Sequence, residues 1–416
     1  MELTEIFQKV KKASKALTLM TDEKRNEILC HLADAIITET PLLLKANARD
    51  LAHMKKDDPM YDRLLLTETR LKDIADNMRH VSTLPSPLGK TLKHKQLENG
   101  LDIRRISVPF GVIGVIYEAR PNVTFDVFSL CLKSGNACIL KCGKDAINSC
   151  QGAVKLIHEI LEKEQVTPNI TALLPATHSA TGEMLQAVGY IDLCIPRGSK
   201  ELINFVRETA KIPVIETGAG VVHCYFDNDG DLTIGKKIID NSKTRRSSVC
   251  NALDCIIIHS SRLKDLPELC SILATKGVKL HADERAYQSL QGKYPAEYLT
   301  QIKNEQEWYT EWLSMQASVK TVDSIDEALQ HIEMYGSGHS ESIITENIVN
   351  AHKFQNRVDA ACIYVNTPTS FTDGAEFGLG TEIGISTQKL GARGPMALEE
   401  ITTYKWLIEG HGQTRP

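Results

Sequence analysis

Apolar residues fall on two different periods along this chain, and the change between them divides it. In about the first 80 residues they recur at helical spacing. Leu29, Leu32, Ala33 and Ile36 occupy i, i+3, i+4 and i+7, one face of a helix. Thr21 with Asp22 and Glu23 predicts the start of that helix, because a hydroxyl cap and first-turn carboxylates both suit its positive end. Pro85, Pro87 and Gly89 then break the pattern. From about residue 100 short β-rich runs alternate with amphipathic stretches. Gly111–Tyr117, Ala137–Leu140, Ala172–Leu174, Ile191–Ile195 and Pro213–Ile215 read as strands, with helices predicted over Asn148–Glu164 and Ala180–Val188. A second alternating set starts near residue 232 and runs to Asn366, with candidate strands Ala252–His259, Val319–Val322, Ser342–Thr345 and Ala361–Val365. A glycine-rich stretch, Gly374–Gly394, precedes a last strand-like run, Ile401–Ile408. Apolar strands alternating with helices predict an α/β protein on mostly parallel sheets covered on both faces.

Composition narrows this picture. A chain of 416 residues is too long for one ordinary core, so two or three domains are predicted. A net charge of −5 gives no electrostatic reason to expect nucleic acid or an anionic membrane as partner. No run approaches the roughly 20 apolar residues of a membrane span. The start, Met1-Glu2-Leu3-Thr4-Glu5, is acidic and lacks the apolar core of a signal peptide. The 11 cysteines are odd in number, irregularly spaced and without a C-x-x-C pair. Such thiols suit a reducing cytoplasm, where most serve as small core residues. A cytoplasmic protein is therefore expected. The histidines show neither H-x-x-x-H nor H-E-x-x-H spacing, and no metal site is expected from them.

Two glycine patterns fail as phosphate loops. The run ending Gly143-Lys144 has Cys138 where a P-loop has its first glycine and Asp145 after the lysine. Gly218-Ala219-Gly220 starts like a dinucleotide fingerprint, but His223 stands where the third glycine belongs.

The candidate chemistry centres on Cys250, in Thr244-Arg245-Arg246-Ser247-Ser248-Val249-Cys250-Asn251-Ala252. Positive charge raises the thiolate population on which nucleophilicity depends, and a helix N-terminus acts in the same direction. The same segment also reads as a structural cysteine beside a surface basic pair. Other segments follow a definite order. Asn122, after Pro121 at a strand end, is placed to offer its amide to an oxyanion or to serve as a turn residue. Lys141 ends a buried strand, where α/β proteins bind cofactors, or is solvated there. Arg197-Gly198-Ser199 opens a helix whose free N–H groups suit phosphate, or is a polar turn. Glu216-Thr217-Gly218 follows another strand, and Glu311, Tyr335-Gly336 and Asn366 come later.

In that order the segments resemble the aldehyde dehydrogenase superfamily. Three blocks resemble its γ-glutamyl phosphate reductase branch: Pro109 to Asn122, Ser248 to Ala252, and Phe377 to Thr387 leading to Ala392-Arg393-Gly394-Pro395. The resemblance covers essentially the whole chain. Departures are Gly391 where the branch has histidine, Thr217 for a leucine, and Cys142 for a small glycine. The resemblance implies an aldehyde dehydrogenase-like fold: two Rossmann-like parallel-sheet domains plus a small strand extension for oligomerisation. On that basis residues 1–228 form a cofactor domain with part of the extension near 95–108. Residues 229–366 form the catalytic domain, and 367–416 return to the cofactor domain and extension. It leaves no room before Lys11 for the kinase domain of bifunctional relatives.

The implied reaction is NADPH-dependent reduction of L-glutamyl 5-phosphate to glutamate 5-semialdehyde and phosphate, in proline biosynthesis. Cys250 would be the nucleophile that forms a thioester, with Asn122 as oxyanion donor. Lys141 would meet the cofactor's ribose or 2′-phosphate, Arg197, Gly198 and Ser199 its pyrophosphate, and Glu311 the nicotinamide ribose. Glu216 is placed with the cofactor, since activating water, the task of its counterpart in aldehyde-oxidising relatives, would waste the thioester. Arg245 and Arg246 hold substrate or are exposed. The partners implied are the small-molecule substrate and further copies of the chain, a homo-oligomer. The competing reading is NAD(P)-dependent oxidation of another small aldehyde.

Overall fold

The predicted stripe Leu29, Leu32, Ala33 and Ile36 is fully buried on the helix Asp22–Thr38. Thr21 caps that helix, its side chain accepting from the Lys24 N–H at 3.2 Å. The computed structural model describes residues 2–56, 58 and 60–415 and divides into two compact units. The first comprises Met1–Thr217, Gly378–Gly384 and Leu390–Pro416, and the second Gly218–Phe377 and Ile385–Lys389. The second unit thus opens at Gly218, ahead of the boundary expected at residue 228.

In the first unit, helices of the first 83 residues pack beside a four-stranded parallel sheet. Strands β1 (Thr91–Gln96) and β2 (Asp102–Pro109) form a separate antiparallel sheet with the C-terminal strand Thr402–Glu409, in the order β1, β2, C-terminal strand. The parallel sheet is built of β3 (Val112–Tyr117), β4 (Ala137–Lys141), β5 (Thr171–Leu173) and β6 (Leu193–Arg197), in the order β5-β4-β3-β6. Every residue of β3 is buried, as a strand covered on both faces requires. The run Pro213–Ile215 contributes only a single bridge, Val214 to Cys194. Pro213 has no N–H to extend the ladder.

In the second unit seven parallel strands lie in the order β10-β9-β11-β8-β7-β12-β13. They are β7 (His223–Phe226), β8 (Cys255–His259), β9 (Lys279–Ala282), β10 (Leu299–Gln301), β11 (Gln316–Val322), β12 (Ser340–Ile344) and β13 (Cys362–Val365). Strands β7, β9 and β10, of three or four residues each, are not among those the sequence predicts. The apolar run from Ala252 enters the sheet only at Cys255; its first three residues precede the strand. All eleven cysteines are free thiols. Among the described residues, no helix is long and apolar enough to cross a membrane.

Candidate active site

In the first unit the candidate residues gather at the carboxyl ends of adjacent strands. Tyr117 ends β3 buried, its hydroxyl 2.8 Å from Thr124 Oγ1 in the first turn of the helix Asn122–Lys133. That bond ties the strand to the helix that begins with Asn122. At the far end Lys133, fully buried, donates to Asp22 at 2.9 Å and Asn26 at 2.8 Å, holding the helix on the N-terminal bundle. Asn122 is therefore fixed from both ends of its helix. One of its amide hydrogens goes to Asp126 Oδ2 at 2.9 Å. Burial raises the Asp126 carboxyl to about 6, partly opposed by that hydrogen bond and by Arg197. Asp126 lies one helical turn on from Asn122, and it orients the amide. The sequence carried that signal only as an i, i+4 pair of polar residues.

Lys141, Gly198 and Ser199 converge on a residue not singled out from the sequence, Glu118. Its carboxylate accepts from the Ser199 N–H at 3.0 Å and from the Ser199 hydroxyl at 3.2 Å. Ser199 also caps the helix Lys200–Thr209, accepting from the Leu202 N–H. Gly198 makes the approach possible: a Cβ there would lie 2.7 Å from Glu118 Oε2. Lys141 is half-buried, and burial lowers its ammonium, opposed by Cys142 and Glu118. The site is thus an anion cradle of helix N–H groups, a hydroxyl and an amine, with a carboxylate in it. Arg197, at the end of β6, faces Asp126 and packs along Gly384. Glu216 is held on both carboxylate oxygens by Arg207, its Oε1 at 2.8 Å from Arg207 Nε. Two departures from the family pattern find a local reason. The Thr217 hydroxyl donates to Pro196 O at 2.8 Å, a bond a leucine cannot make. Gly391 has φ +89°, where a histidine would be strained.

In the second unit Cys250 sits in a turn between the helix Leu232–Thr244 and β8. Among the described residues no helix starts at the thiol; the preceding helix ends at Thr244 and presents the negative pole of its dipole to the turn. Arg245 and Arg246, the cations next to it in sequence, are both exposed. The turn is held on every side. Asn251, buried, donates to Ser370 O at 3.3 Å and Thr372 O at 3.0 Å, while Thr369 Oγ1 donates to Asn251 O at 2.9 Å. Lys243 Nζ donates to Leu253 O at 2.8 Å and faces Asp254 at 3.9 Å. Burial lowers the Lys243 ammonium to about 8 and raises the Asp254 carboxyl to about 7, and each opposes the other's shift.

Gly220 presses directly on the Cys250 backbone. A Cβ at Gly220 would stand 1.7 Å from Cys250 O, closer than any side chain tolerates. Its N–H donates to Glu311 Oε1 at 2.9 Å, which brings Glu311 to the Cys250 turn. The next residue, Val221, donates to Ser337 Oγ at 2.9 Å, directly after the Tyr335-Gly336 segment. Asn366 lies elsewhere, at the carboxyl end of β13, where it exchanges hydrogen bonds of 2.9 Å and 2.8 Å with the Thr345 backbone.

Comparison with known proteins identifies the family and the fold. The aldehyde dehydrogenase family matches residues 305–407. The γ-glutamyl phosphate reductase of Bacteroides thetaiotaomicron is 59% identical over 409 residues, 98% of each chain. The crystal structure of γ-glutamyl phosphate reductase from Thermotoga maritima superposes with a TM-score of 0.94 at 38% identity, covering 100% of both chains. An acetylating aldehyde dehydrogenase from Geobacillus thermoglucosidasius shares the fold at 16% identity, with a TM-score of 0.72 over 100% of this chain and 98% of the other.

Proposed function

The chain belongs to the γ-glutamyl phosphate reductase family, and from that premise we propose how its residues divide the reaction. The protein is an oxidoreductase that reduces L-glutamyl 5-phosphate to glutamate 5-semialdehyde, releasing phosphate, in proline biosynthesis. Cys250 attacks the acyl phosphate as thiolate, forming a C–S bond as the C–O bond to phosphate breaks. Reduced nicotinamide dinucleotide, when bound, would supply the hydride for the thioester carbonyl. Cys250 then leaves the hemithioacetal as thiolate, and the aldehyde is released. Each tetrahedral stage carries an oxyanion, for which Asn122 and the Cys250 N–H are the donors. Asp126 sets the Asn122 amide in place.

The nicotinamide family is that of the aldehyde dehydrogenases, and we assign NADPH as the form used. The cradle of Gly198, Ser199 and Lys141 fits its phosphates, because a carboxylate already lies against the same N–H and hydroxyl groups. A bound pyrophosphate would take the Ser199 donors that Glu118 now holds, and Arg197 would contribute its guanidinium. Glu311 holds the ribose and also positions Cys250 through Gly220. Glu216, engaged on both oxygens by Arg207, stands on the cofactor side and does not activate water against the thioester. Arg245 or Arg246 receives the substrate phosphate, which suits two exposed guanidinium groups beside the nucleophile. Unit one is the cofactor domain and unit two the catalytic domain. The sheet of β1, β2 and the C-terminal strand carries oligomerisation. Its outer strand exposes Tyr404 at 51%, Trp406 at 46% and Ile408 at 62%, an apolar edge suited to a second copy. The protein acts in the cytoplasm.

The Cys250 turn, held against Gly220, carries this reading. Its test is phosphate-dependent reduction of NADP⁺ or NAD⁺ by glutamate semialdehyde, run on wild type and Cys250→Ala. Activity that needs phosphate and the thiol is expected. Turnover without phosphate, or in Cys250→Ala, would point to oxidation of another aldehyde or to a different nucleophile.

A further inference from the structure

Beyond the reductase site, the second unit buries a cluster that the reaction does not use. In the register of the sheet, His223 on β7 lies opposite Cys255 on β8 and Glu341 on β12. Three neighbouring strands therefore present carboxylate, imidazole and thiol in one row. His331, from the helix Ile325–Tyr335, completes the group with its Nε2 3.8 Å from Cys255 Sγ. One ligand atom each from His223, Cys255 and His331 lies within 4.8 Å of the others. All three residues are buried: His223 at 0%, Cys255 at 1% and His331 at 6% exposure.

The hydrogen bonds decide which atoms are on offer. His223 Nδ1 is 3.0 Å from Glu341 Oε2, and the His223 backbone N–H donates to the same oxygen at 2.9 Å. Its other ring nitrogen, Nε2, is buried with no hydrogen-bond partner among the described residues. An unpartnered buried imidazole nitrogen is costly unless something accepts its lone pair. A carboxylate on one nitrogen that leaves the other as a lone-pair donor is the outer-shell arrangement of metal-binding histidines. For tetrahedral coordination at ordinary Zn–S and Zn–N lengths, the S···N edge is roughly 3.6 Å. The observed 3.8 Å between Cys255 and His331 is close to it.

We propose that His223 Nε2, Cys255 Sγ and His331 Nε2 form a binding site for one thiophilic transition-metal ion of the Zn²⁺ class. Two imidazoles and a thiolate are the ligand types such an ion selects. Binding forms an S–metal bond and releases the Cys255 thiol proton to solvent. The thiolate and the Glu341 carboxylate then balance the two charges of the ion, so no net charge is buried. Lys320 faces the cluster but is answered by Asp283 at 4.0 Å. Trp308 and Tyr335, half-buried and packed on the His331 ring at 5.1 Å and 4.6 Å, are the side chains that must yield for an ion to enter. The chain of contacts would fix the helix Ile325–Tyr335 to the sheet.

The test uses the full chain with Cys250→Ala, so that the nucleophile's own thiol does not compete. Zn²⁺ uptake is measured by equilibrium dialysis, and Co²⁺ uptake by thiolate-to-cobalt charge-transfer absorption. One equivalent of each ion and a charge-transfer band are expected. Adding Cys255→Ala should remove the band, and His331→Gln or Glu341→Gln should weaken Co²⁺ binding at least about tenfold. A band that persists without Cys255 would overturn the assignment. So would failure of the Cys250→Ala chain to take up either ion, a measurement that does not depend on how the core variants fold.

Discussion

The two parallel sheets use opposite edges. In the first unit the polar groups lie at the carboxyl ends of strands: Glu118 after β3, Lys141 on β4 and Arg197 on β6. In the second they lie at the amino ends: Gly220 before β7, Cys250 before β8, Glu311 before β11 and Ser337 before β12. The carboxyl edge is where helices begin, so free N–H groups and positive dipole ends come with the fold and suit the phosphates of a dinucleotide. The amino edge is where helices end. A thiol placed there gains nothing from the dipole of the helix Leu232–Thr244, so its surroundings must hold it by specific contacts. That is why Cys250 is framed by Gly220, Asn251, Lys243 and Asp254.

The largest effects should come from the amino edge. Cys250→Ala should reduce kcat by at least ~10⁴, the scale of losing a nucleophile, with the circular dichroism spectrum unchanged. Cys255→Ala, at a buried thiol only five positions on, should leave kcat within about threefold, since it touches no reacting atom. Comparable losses in both would erase the distinction drawn between them. Asn122→Ala, in the first unit, should lower kcat about 10²–10³-fold with little change in KM, as loss of one oxyanion donor does. A change confined to KM would instead make Asn122 a binding residue. Gly220→Ala forces the Cys250 turn to move, and a displacement on the order of 1 Å costs about 10²-fold in rate. Its kcat should fall that far while Zn²⁺ or Co²⁺ uptake at His223 and Cys255 survives.

Asp126 gives the carboxyl edge a pH signature. Burial holds its folded-state value near 6 against an ordinary 3.8, so between those values the folded state binds more protons than the unfolded one. Stability from this group is therefore greatest at the acid end, falls as pH rises from about 4 to 6, and is level above. Asp126→Asn removes that dependence. Relative to wild type, its melting temperature should rise across this window, measured by calorimetry at pH 4 and pH 7. A constant difference between the two proteins would mean that Asp126 does not titrate in this range.

How much of this was readable from residues alone follows the same division. Among the carboxyl-edge candidates, Lys141 was singled out because α/β sheets bind ligands beyond their strand ends, and Gly198 and Ser199 because a helix start offers free N–H groups to phosphate. Cys250 was found by its basic neighbours and the order of surrounding segments. What escaped were partners brought in by folding. Glu118 and Ser199 are far apart in sequence, as are Gly220 and Glu311, and no spacing rule joins them. His223, Cys255 and His331 escaped for the same reason. Their spacing matches no ligand motif, yet the parallel register sets the first two side by side. Gly220 was visible only as part of a failed fingerprint, because its purpose is room for a backbone carbonyl rather than for a phosphate.

The smallest expected effect tests whether the carboxyl edge is the phosphate site. Glu118 now holds the N–H and hydroxyl of Ser199 that an incoming pyrophosphate would use. Its negative charge therefore competes with the cofactor for the same donors, in addition to repelling it. Glu118→Gln keeps the shape and an accepting oxygen but removes the charge. An anion at a helix N-terminus gains roughly 0.3–1 kcal/mol, and relieving this competition by a similar amount should lower the KM for NADPH about two- to fivefold. The same measurement at higher salt should show a smaller difference, because the half-exposed charge is screened. A rise in KM would mean that Glu118 itself contacts the cofactor, placing the carboxylate among its ligands rather than in its way.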